Sequence, residues 1–581
     1  MLQFKKMNEE ISKIFYEMAI LLEMKEISFK PQAYEKAALI IETLGENVKD
    51  IYKKGGLKAL MDISGIGQGI AERIEEYIKT KHIKDYEHLK KQVPVDITGL
   101  TSIEGLGPKS VYKLYKKLGI RTVGELEKAA KAGKLRNLEG FGEKSEEKIL
   151  KGIEFAKKGQ GRFILGFVSP AVESILERIR ELPYVEIAEA AGSVRRRQET
   201  VGDLDILVIS KEPGKVMDYF ASIPEADHIY GKGLTKTNIR LKNGMDADLR
   251  VLPPESFGAA LQYFTGDKYH NIAVREIAAQ KGYKLSEYGL FRGRKIIAAK
   301  TEEEIYEKLG LEWMPPEIRT NMGEIEAALR QAQGKSNGLP KLVPYGSLKG
   351  DLQVQTNWTD GQNSIREMAE AAKKEGLEYI VITDHTKSLA MTGGLDEKKI
   401  LKQMAEIDKI QKQTEGIKIL KGSEVNILKD GRPDISGEIL AKLDVVGAAV
   451  HSNFNLSEKE QIQRIIRAME NPNIDIFFHP TGRVIQKREP YKVDMDALVK
   501  AAGRTGTILE IDSYPNRLDL KDEHIKKAVS AGVRLSIDSD SHHVSHFQYL
   551  ELGIAQARRG WAEKENIINT RRWKEMLELL K

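Results

Sequence analysis

Cysteine is absent from all 581 residues. No disulfide and no thiolate-ligated metal is available, so any metal site must come from histidine and carboxylate side chains. No apolar run reaches the roughly 20 residues that span a bilayer as a helix. The N-terminus lacks the basic-then-apolar pattern of a secretory leader. Together these absences predict a cytoplasmic protein with no membrane partner. The composition, 41% hydrophobic and 31% charged, is that of a globular chain. Its length exceeds what one core organises, so several domains are expected.

Charge of one sign is scarce except in one place. Formal net charge is +6. Residues 100–160 hold 14 Lys and Arg against 8 Asp and Glu, a surplus of 6, so the rest of the chain sums to zero. A localised basic segment suits nucleic acid. Any single lysine in it is equally well a solvated helix face.

The densest chemistry lies between Gly192 and Asp205. An extended run, 185–190, leads into Gly192-Ser193, where a turn opens a short helix. Backbone N–H groups and a hydroxyl at such a turn suit a phosphate. Arg195, Arg196 and Arg197 follow, and together they read as an anion site. A strand then begins, and alternation puts Asp203 and Asp205 on one face. Two neighbouring carboxylates repel unless a cation sits between them, and a divalent metal facing bound phosphates is the economical explanation. Downstream, 237–241 and 245–251 alternate around Asn243-Gly244, a hairpin signal. The second strand carries Asp246 and Asp248 on one face. Alone, Asp-x-Asp is equally a solvated strand edge. With Gly-Ser before it and Asp248-x-Arg250 after it, the functional reading prevails.

Residues 1–95 read as helices. Ile63-Ser64-Gly65-Ile66-Gly67 precedes a helix, and the pattern returns at Ile103-Glu104-Gly105-Leu106-Gly107 and Leu138-Glu139-Gly140-Phe141-Gly142. Glycines at such turns bring N–H groups close to a phosphate backbone, which positions DNA without reading its sequence. One Gly-x-Gly is often only a helix cap; three copies in succession argue for more. Residues 318–345 read as a linker containing a polar helix. In the last 235 or so residues, short apolar strands end in Asp384-His385, Glu424, His451, His479, Asp512 and Asp538. Ligand-type residues at successive strand ends describe a (β/α) barrel with a site at its C-terminal mouth, suited to Zn²⁺, Mn²⁺ or Fe.

In their order, Gly-Ser, Asp-x-Asp, Asp-x-Arg and then Tyr263-Phe264-Thr265-Gly266, Asn271 and Arg275 resemble family X DNA polymerases. The resemblance covers nearly the whole chain and extends to the bacterial members that carry a C-terminal PHP domain. It implies a multidomain α+β and α/β chain. Its parts would be a helical gap- and 5′-phosphate-binding domain (1–95), a helix-hairpin-helix domain (96–159) and a nucleotidyltransferase palm (160–255). A nascent-pair-binding subdomain (256–317), the linker and a PHP barrel (346–581) would follow.

The resemblance also implies the site residues. Asp203, Asp205 and Asp248 would be catalytic and hold Mg²⁺ or Mn²⁺. Gly192, Ser193, Arg196, Gly202 and the more weakly matched Arg162 would bind the triphosphate. Tyr263 and Phe264 would line the sugar pocket, Gly266 would belong to the nucleotide-binding set, and Asn271 and Arg275 would touch minor-groove edges. Lys30 and Tyr34, with Gly65, Gly67, Gly105, Gly107, Gly140 and Gly142, would contact DNA. Where lyase-active members have a Schiff-base lysine, this chain reads Arg73, with Gly69 at the nearby basic position. Arginine stays protonated and is a poor amine nucleophile, so phosphate binding without lyase chemistry is expected.

At the PHP site the family opens with Asp-Leu-His-x-His and closes with Asp-x-His. This chain reads Asp351-Leu352-Gln353-Val354-Gln355, and its close reads as Asp538-Ser539-Asp540. Asp360, His385, Glu424, His451, His479 and Asp538 match ligand positions, Asp540 offers an oxygen in place of an imidazole, and Zn²⁺ or Mn²⁺ would bind a partly degraded site. The implied reaction is gap filling in base excision repair on gapped or primed duplex DNA with deoxynucleoside triphosphates, by a monomer, with 3′–5′ exonuclease impaired. Two competing readings are a nucleotidyltransferase acting on RNA or a small molecule, and a DNA-binding repair scaffold. Primer extension on gapped DNA compared with RNA separates the first; loss of activity in Asp203→Ala excludes the second.

Overall fold

The structure is a computed structural model. It describes residues 2–27, 30–43, 47–63, 65–101, 103, 106–158, 161–389 and 392–581. The chain forms two compact units, one of residues 1–160 with 486–488, the other of 161–485 and 489–581. No helix among the described residues is long and apolar enough to cross a membrane.

The first unit is helical. In Gln68–Thr80, Ile70, Ala71, Ile74 and Tyr77 recur at helical spacing and are buried, so burial of one stripe fixes the helix. Pro108 opens Pro108–Leu118 at a position that needs no N–H. Thr122 and Glu125 form a reciprocal capping box on Val123–Lys131. The helix Leu2–Met24 packs against Pro108–Leu118. One core therefore runs continuously from Ile11 and Phe15 to Ile149 and Ile153, across the boundary expected near residue 95.

The second unit begins with a five-stranded sheet. Its order is Val185–Ala190, Asp203–Ser210, Asp246–Leu252, Lys236–Leu241, Ala226–Lys232. Asp203–Ser210 runs parallel to Asp246–Leu252; the other pairings are antiparallel. The hairpin loop is Lys242-Asn243-Gly244, closed by Leu241 N donating to Met245 O, with Gly244 donating to Leu241 O and Met245 donating to Asn243 Oδ1. Leu204, Ile206 and Val208 face a core with Val172, Ile175, Val216 and Phe220 from the covering helices Leu165–Arg180 and Pro213–Ala221. On the opposite face Leu207 and Ile209 pack under Phe257 and Ala260 of Phe257–Thr265. That helix covers the far half of this face and leaves its acidic end uncovered.

Beyond it, Lys268–Gln280, a three-stranded antiparallel sheet and Glu302–Lys308 share a core containing Val274, Leu290, Ile305 and Tyr306. Ile325 and Ala328 of Glu324–Ala332 belong to the same core. The segment expected as a linker is thus partly a packed element here, held to the core by Ile325 and Ala328.

From Gly350 onward, seven parallel strands follow one another in chain order: Gly350–Val354, Tyr379–Ile382, Lys418–Asn426, Val445–Ala449, Ile476–Phe477, Ile508–Asp512 and Leu535–Asp538. Gln355 donates to Ser541 O at 2.8 Å and Ser541 to Gln353 O at 3.2 Å. These bonds bring the last strand back to the first, so the barrel is nearly closed. Val381, Leu420, Ala449 and Ile508 share one core layer, and Ile380, Ile419, Val446 and Leu509 alternate into a second, helix-facing one.

Candidate active sites

At the uncovered end of the sheet the ladder pairs Asp203 with Asp246 and Asp205 with Asp248. Opposed residues of parallel strands point to the same face, so these carboxylates form one patch. Their partners divide them. Asp246 is forked by Arg240, with Nε to Oδ1 at 2.9 Å and Nη2 to Oδ2 at 3.2 Å. Asp248 accepts from Asn238 Nδ2 and lies 3.4 Å from Lys236 Nζ. Burial, then repulsion from Asp203 and Asp248, pushes Asp205 up to about 6. The patch therefore has more negative charge than its neighbours neutralise. An all-oxygen donor set of this kind fits Mg²⁺ or Mn²⁺.

Gly192 opens the turn beside this patch with φ +60°, and a Cβ there would stand 2.6 Å from Asp205 Oδ2. Only glycine lets the Gly192–Arg195 turn approach the carboxylate so closely. Ala191 N donates to Asp205 O at 2.9 Å, fixing the approach. Ser193 is the next residue of the turn. The three arginines that follow do not form one anion cluster. Arg195 is committed to Glu302, through Nη1 at 2.8 Å and Nη2 at 2.9 Å, and to Thr265 Oγ1 at 2.7 Å. Arg196 donates Nη1 to Thr265 O at 2.6 Å, and its buried Nε has no partner. Arg197 turns the chain with φ +51°. Arg162 reaches Thr200 Oγ1 at 2.9 Å and Thr200 O, close to Gly202.

Glu302 sits between two guanidiniums. Arg319, which is fully buried, also forks it and stacks over Tyr306 and Trp313. Burial alone would raise the Glu302 carboxyl, but Arg319 and Arg195 hold it at about 2. Nothing in the motif spacing pointed to this residue. Tyr263 and Phe264 meet edge-to-face at 5.2 Å, and Arg250 lies over the Phe264 ring. Asn271 uses its amide on Tyr263 O at 2.7 Å and Gly266 O at 2.9 Å. It can present a donor to a base edge only by releasing one of them. Arg275 is exposed and donates Nε to Asn271 O.

In the helical unit one turn recurs three times. Ile66, Leu106 and Phe141 donate N–H to the carbonyls of Ile63, Ile103 and Leu138. Gly67, Gly107 and Gly142 then accept the first helical bonds of Gln68–Thr80, Pro108–Leu118 and Glu143–Lys158. Gly65 and Gly140 take φ +85° and +82°, which an L side chain rarely adopts. Gly105 lies outside the described residues. Lys30 is exposed. Tyr34 is buried, its ring edge-on to Phe15, and burial raises its phenol. Arg73 is paired with Asp85 and donates Nη1 to Gly69 O.

The barrel mouth is organised around Glu424. His479 Nε2 and His451 Nε2 lie 2.9 and 3.0 Å from its Oε1, and His385 Nδ1 lies 3.4 Å from Oε2. Oε2 also accepts from Gln353 Nε2 at 3.1 Å and Gln355 Nε2 at 2.8 Å. Both glutamine Oε1 atoms are buried without a partner. Beside this group Asp360 Oδ2 lies 3.6 Å from His385 Nε2 and 3.6 Å from His542 Nε2. Asp360, His385 and His542, and likewise His385, Glu424 and His451, bring ligand atoms within 4.8 Å of one another. Such imidazole-carboxylate sets fit Zn²⁺ or Mn²⁺; the amides at 353 and 355 do not supply nitrogen ligands.

Two expectations at this mouth need correcting. Asp538 does not reach the cluster. It is buried and accepts from Leu352 N at 2.9 Å and Ser536 Oγ at 2.6 Å. The closing Asp-x-His is Asp540-Ser541-His542, so Asp540 replaces no histidine. The strand ends at Asp538 and Asp540 takes φ +49°, which breaks the alternation beyond it. Asp540 instead faces Arg517 and His542. Burial alone would lower the His542 imidazole, but Asp540 and Asp360 push it up to about 10.

Tandem helix-hairpin-helix turns, a carboxylate-bearing sheet with a phosphate-type turn, and a second, barrel-borne ligand cluster define a nucleotidyltransferase of the DNA polymerase type. Comparisons agree. A family model described as the DNA polymerase beta thumb matches 260–320, a helix-hairpin-helix domain matches 6–83, a SAM-like helix-hairpin-helix tandem matches 97–154, and a PHP domain matches 351–533. DNA polymerase/3′-5′ exonuclease PolX of Bacillus subtilis (strain 168) is 36% identical over 578 residues, 99% of both chains. A probable phosphatase of Thermoanaerobacter sp. (strain X514) is 30% identical over 219 residues, 36% of this chain and 84% of that protein. DNA polymerase lambda of Arabidopsis thaliana is 24% identical over 350 residues, 54% of this chain and 62% of that one. The chain belongs to the family X DNA polymerases that carry a C-terminal PHP domain.

Proposed function

We propose that this polymerase fills short gaps in duplex DNA during base excision repair, using gapped or primed DNA and deoxynucleoside triphosphates. The primer 3′ hydroxyl attacks the α-phosphorus, a phosphodiester forms, and pyrophosphate leaves. Asp203, Asp205 and Asp248 would hold Mg²⁺ or Mn²⁺, while the Arg240 fork keeps Asp246 out of the ligand set. Bound metal would lower the hydroxyl pKa and neutralise charge on the leaving oxygens. Ser193, the N–H groups at the Gly192 turn, the unpartnered Nε of Arg196 and Arg162 orient the triphosphate. Tyr263 and Phe264 shape the sugar pocket. The observation that carries this reading is the register of Asp205 beside Asp248, with the Gly192 turn against them.

The test is single-turnover incorporation on gapped DNA. Alanine at 203, 205 or 248 should abolish incorporation and leave DNA binding nearly intact, while Asp246→Ala should be mild. Equal losses at 246 and 248 would overturn the assignment of the third ligand.

The barrel's 3′–5′ exonuclease is impaired in the same reading. Two ligand groups persist, Asp360 with His385 and His542, and Glu424 with His451 and His479. A third position has lost both imidazoles to Gln353 and Gln355, whose amides donate to Glu424 instead. A hydrolytic centre short of strong ligands at one metal position activates water poorly.

A further inference from the structure

The loop from Arg195 to Thr200 joins the Gly192 turn to Asp203. The barrel grips it at two points. The Glu199 carboxylate accepts Arg483 Nη1 at 3.2 Å, Arg483 Nη2 at 2.5 Å and Gln556 Nε2 at 2.9 Å. Two residues earlier, the Arg197 carbonyl accepts from Arg559 Nη1. All three barrel residues are buried: Arg483 is 8% exposed, Arg559 5% and Gln556 0%. They come from 284 to 362 positions away along the chain. On the palm side, Leu165 N donates to Glu199 O and Arg162 holds Thr200. The loop is therefore held from both sides, by Arg483, Gln556 and Arg559 of the barrel and by Leu165 and Arg162 of the palm.

We propose that Arg483 is a positioning residue for nucleotide addition: through Glu199 it holds the loop that aims Arg196 and Ser193 at the triphosphate. This rests on the triphosphate site proposed above. The ion pair is forked, with Arg483 buried and Glu199 half-buried, so its geometry is specific. Burial would raise the Glu199 carboxyl, and Arg483 and Arg559 instead hold it below the usual carboxylate range. Arg196 lies three residues from Glu199, and a small displacement of a binding group far from the reacting atoms is costly. Arg483 lies four residues after His479, and the intervening Thr481 is pinned to Asp519 by two bonds of 2.9 Å. The short segment that carries a barrel ligand thus also supports the polymerase loop.

The experiment measures steady-state gap filling by full-length Arg483→Met, Arg483→Lys, Glu199→Gln, the Arg483→Met/Glu199→Gln double variant and Arg196→Ala. Arg483→Met should raise KM for the deoxynucleoside triphosphate about tenfold while kcat falls less than about threefold and DNA affinity holds. Arg483→Lys, which keeps the charge and loses the fork, should recover part of the loss. The double variant should be no worse than the worse single one, as expected when both act through one ion pair. An unchanged KM in folded Arg483→Met, with KM raised in Arg196→Ala, overturns the proposal. Additive losses in the double variant also overturn it. If Arg196→Ala leaves KM unchanged as well, the triphosphate site itself is misassigned and the proposal falls with it.

Discussion

Replacing Glu302 by glutamine removes the one negative charge lodged between Arg195 and Arg319. Arg319 has no exposure to water, so its charge then stays buried without a counterion. The Glu302 carboxyl is held at about 2 against an ordinary 4.5. At about 1.36 kcal/mol per unit, that shift is worth about 3 kcal/mol at neutral pH. Breaking a buried pair from one side costs about 3–5 kcal/mol, which agrees. Because the folded pKa is depressed, this stability is fully present above 4.5 and is lost as pH falls through 2. Urea denaturation of Glu302→Gln and the parent, followed by tryptophan fluorescence, measures it. Trp313 reports locally, because its Nε1–H donates to Glu302 at 3.3 Å. The difference should be about 3 kcal/mol at pH 7 and less than half that near pH 3. A loss below about 1 kcal/mol at pH 7, or one that does not shrink in acid, would refute the argument.

Other outcomes follow from the same geometry. Gap binding should weaken with salt and favour a 5′-phosphorylated gap, and replacing one phosphate-binding lysine by alanine should flatten the log–log salt slope by about 0.9; indifference to the 5′ phosphate would remove the gap-recognition role given to the first helices and Lys30. Gln353→His with Gln355→His should raise both bound metal and Mn²⁺-dependent exonuclease activity while polymerisation stays unchanged. Strong exonuclease in the parent chain, lost on His451→Ala, would show that the two glutamines are tolerated.

What could be read from the sequence was local. Asn243-Gly244 announced its hairpin, and period-two alternation put Asp203 with Asp205 and Asp246 with Asp248, because a strand fixes where each side chain points. Motif matching failed at Asp538, where the closing Asp-x-His was set two residues early. Strand register argues against a local shift that would bring in His542, yet the left-handed residue at 540 is where the regular strand geometry has already ended. Arg195 was read as part of an anion site because its partner, Glu302, lies 107 residues away. Glu199 carried no signal in the sequence, its partner Arg483 lying 284 residues away. Pairings made by tertiary folding leave no mark on residue spacing. The helix Glu324–Ala332 was placed in a linker because it is short and leads into a Gly-, Ser- and Pro-bearing stretch, while the core it packs against is formed by distant segments.

The three-residue turn Lys242-Asn243-Gly244 is a ruler. It sets how far Asp246–Leu252 advances along its neighbours before pairing begins. Lengthening it by one residue, with pairing kept, would turn Asp248 to the sheet's apolar side and bring an alanine level with Asp205. Lengthening it by two would restore the facing and put Asp246 in that place, with its guanidinium fork carried out of step. The position of the third carboxylate is thus decided by the length of a turn. Deletions and insertions should be far rarer there than in any exposed loop of equal size.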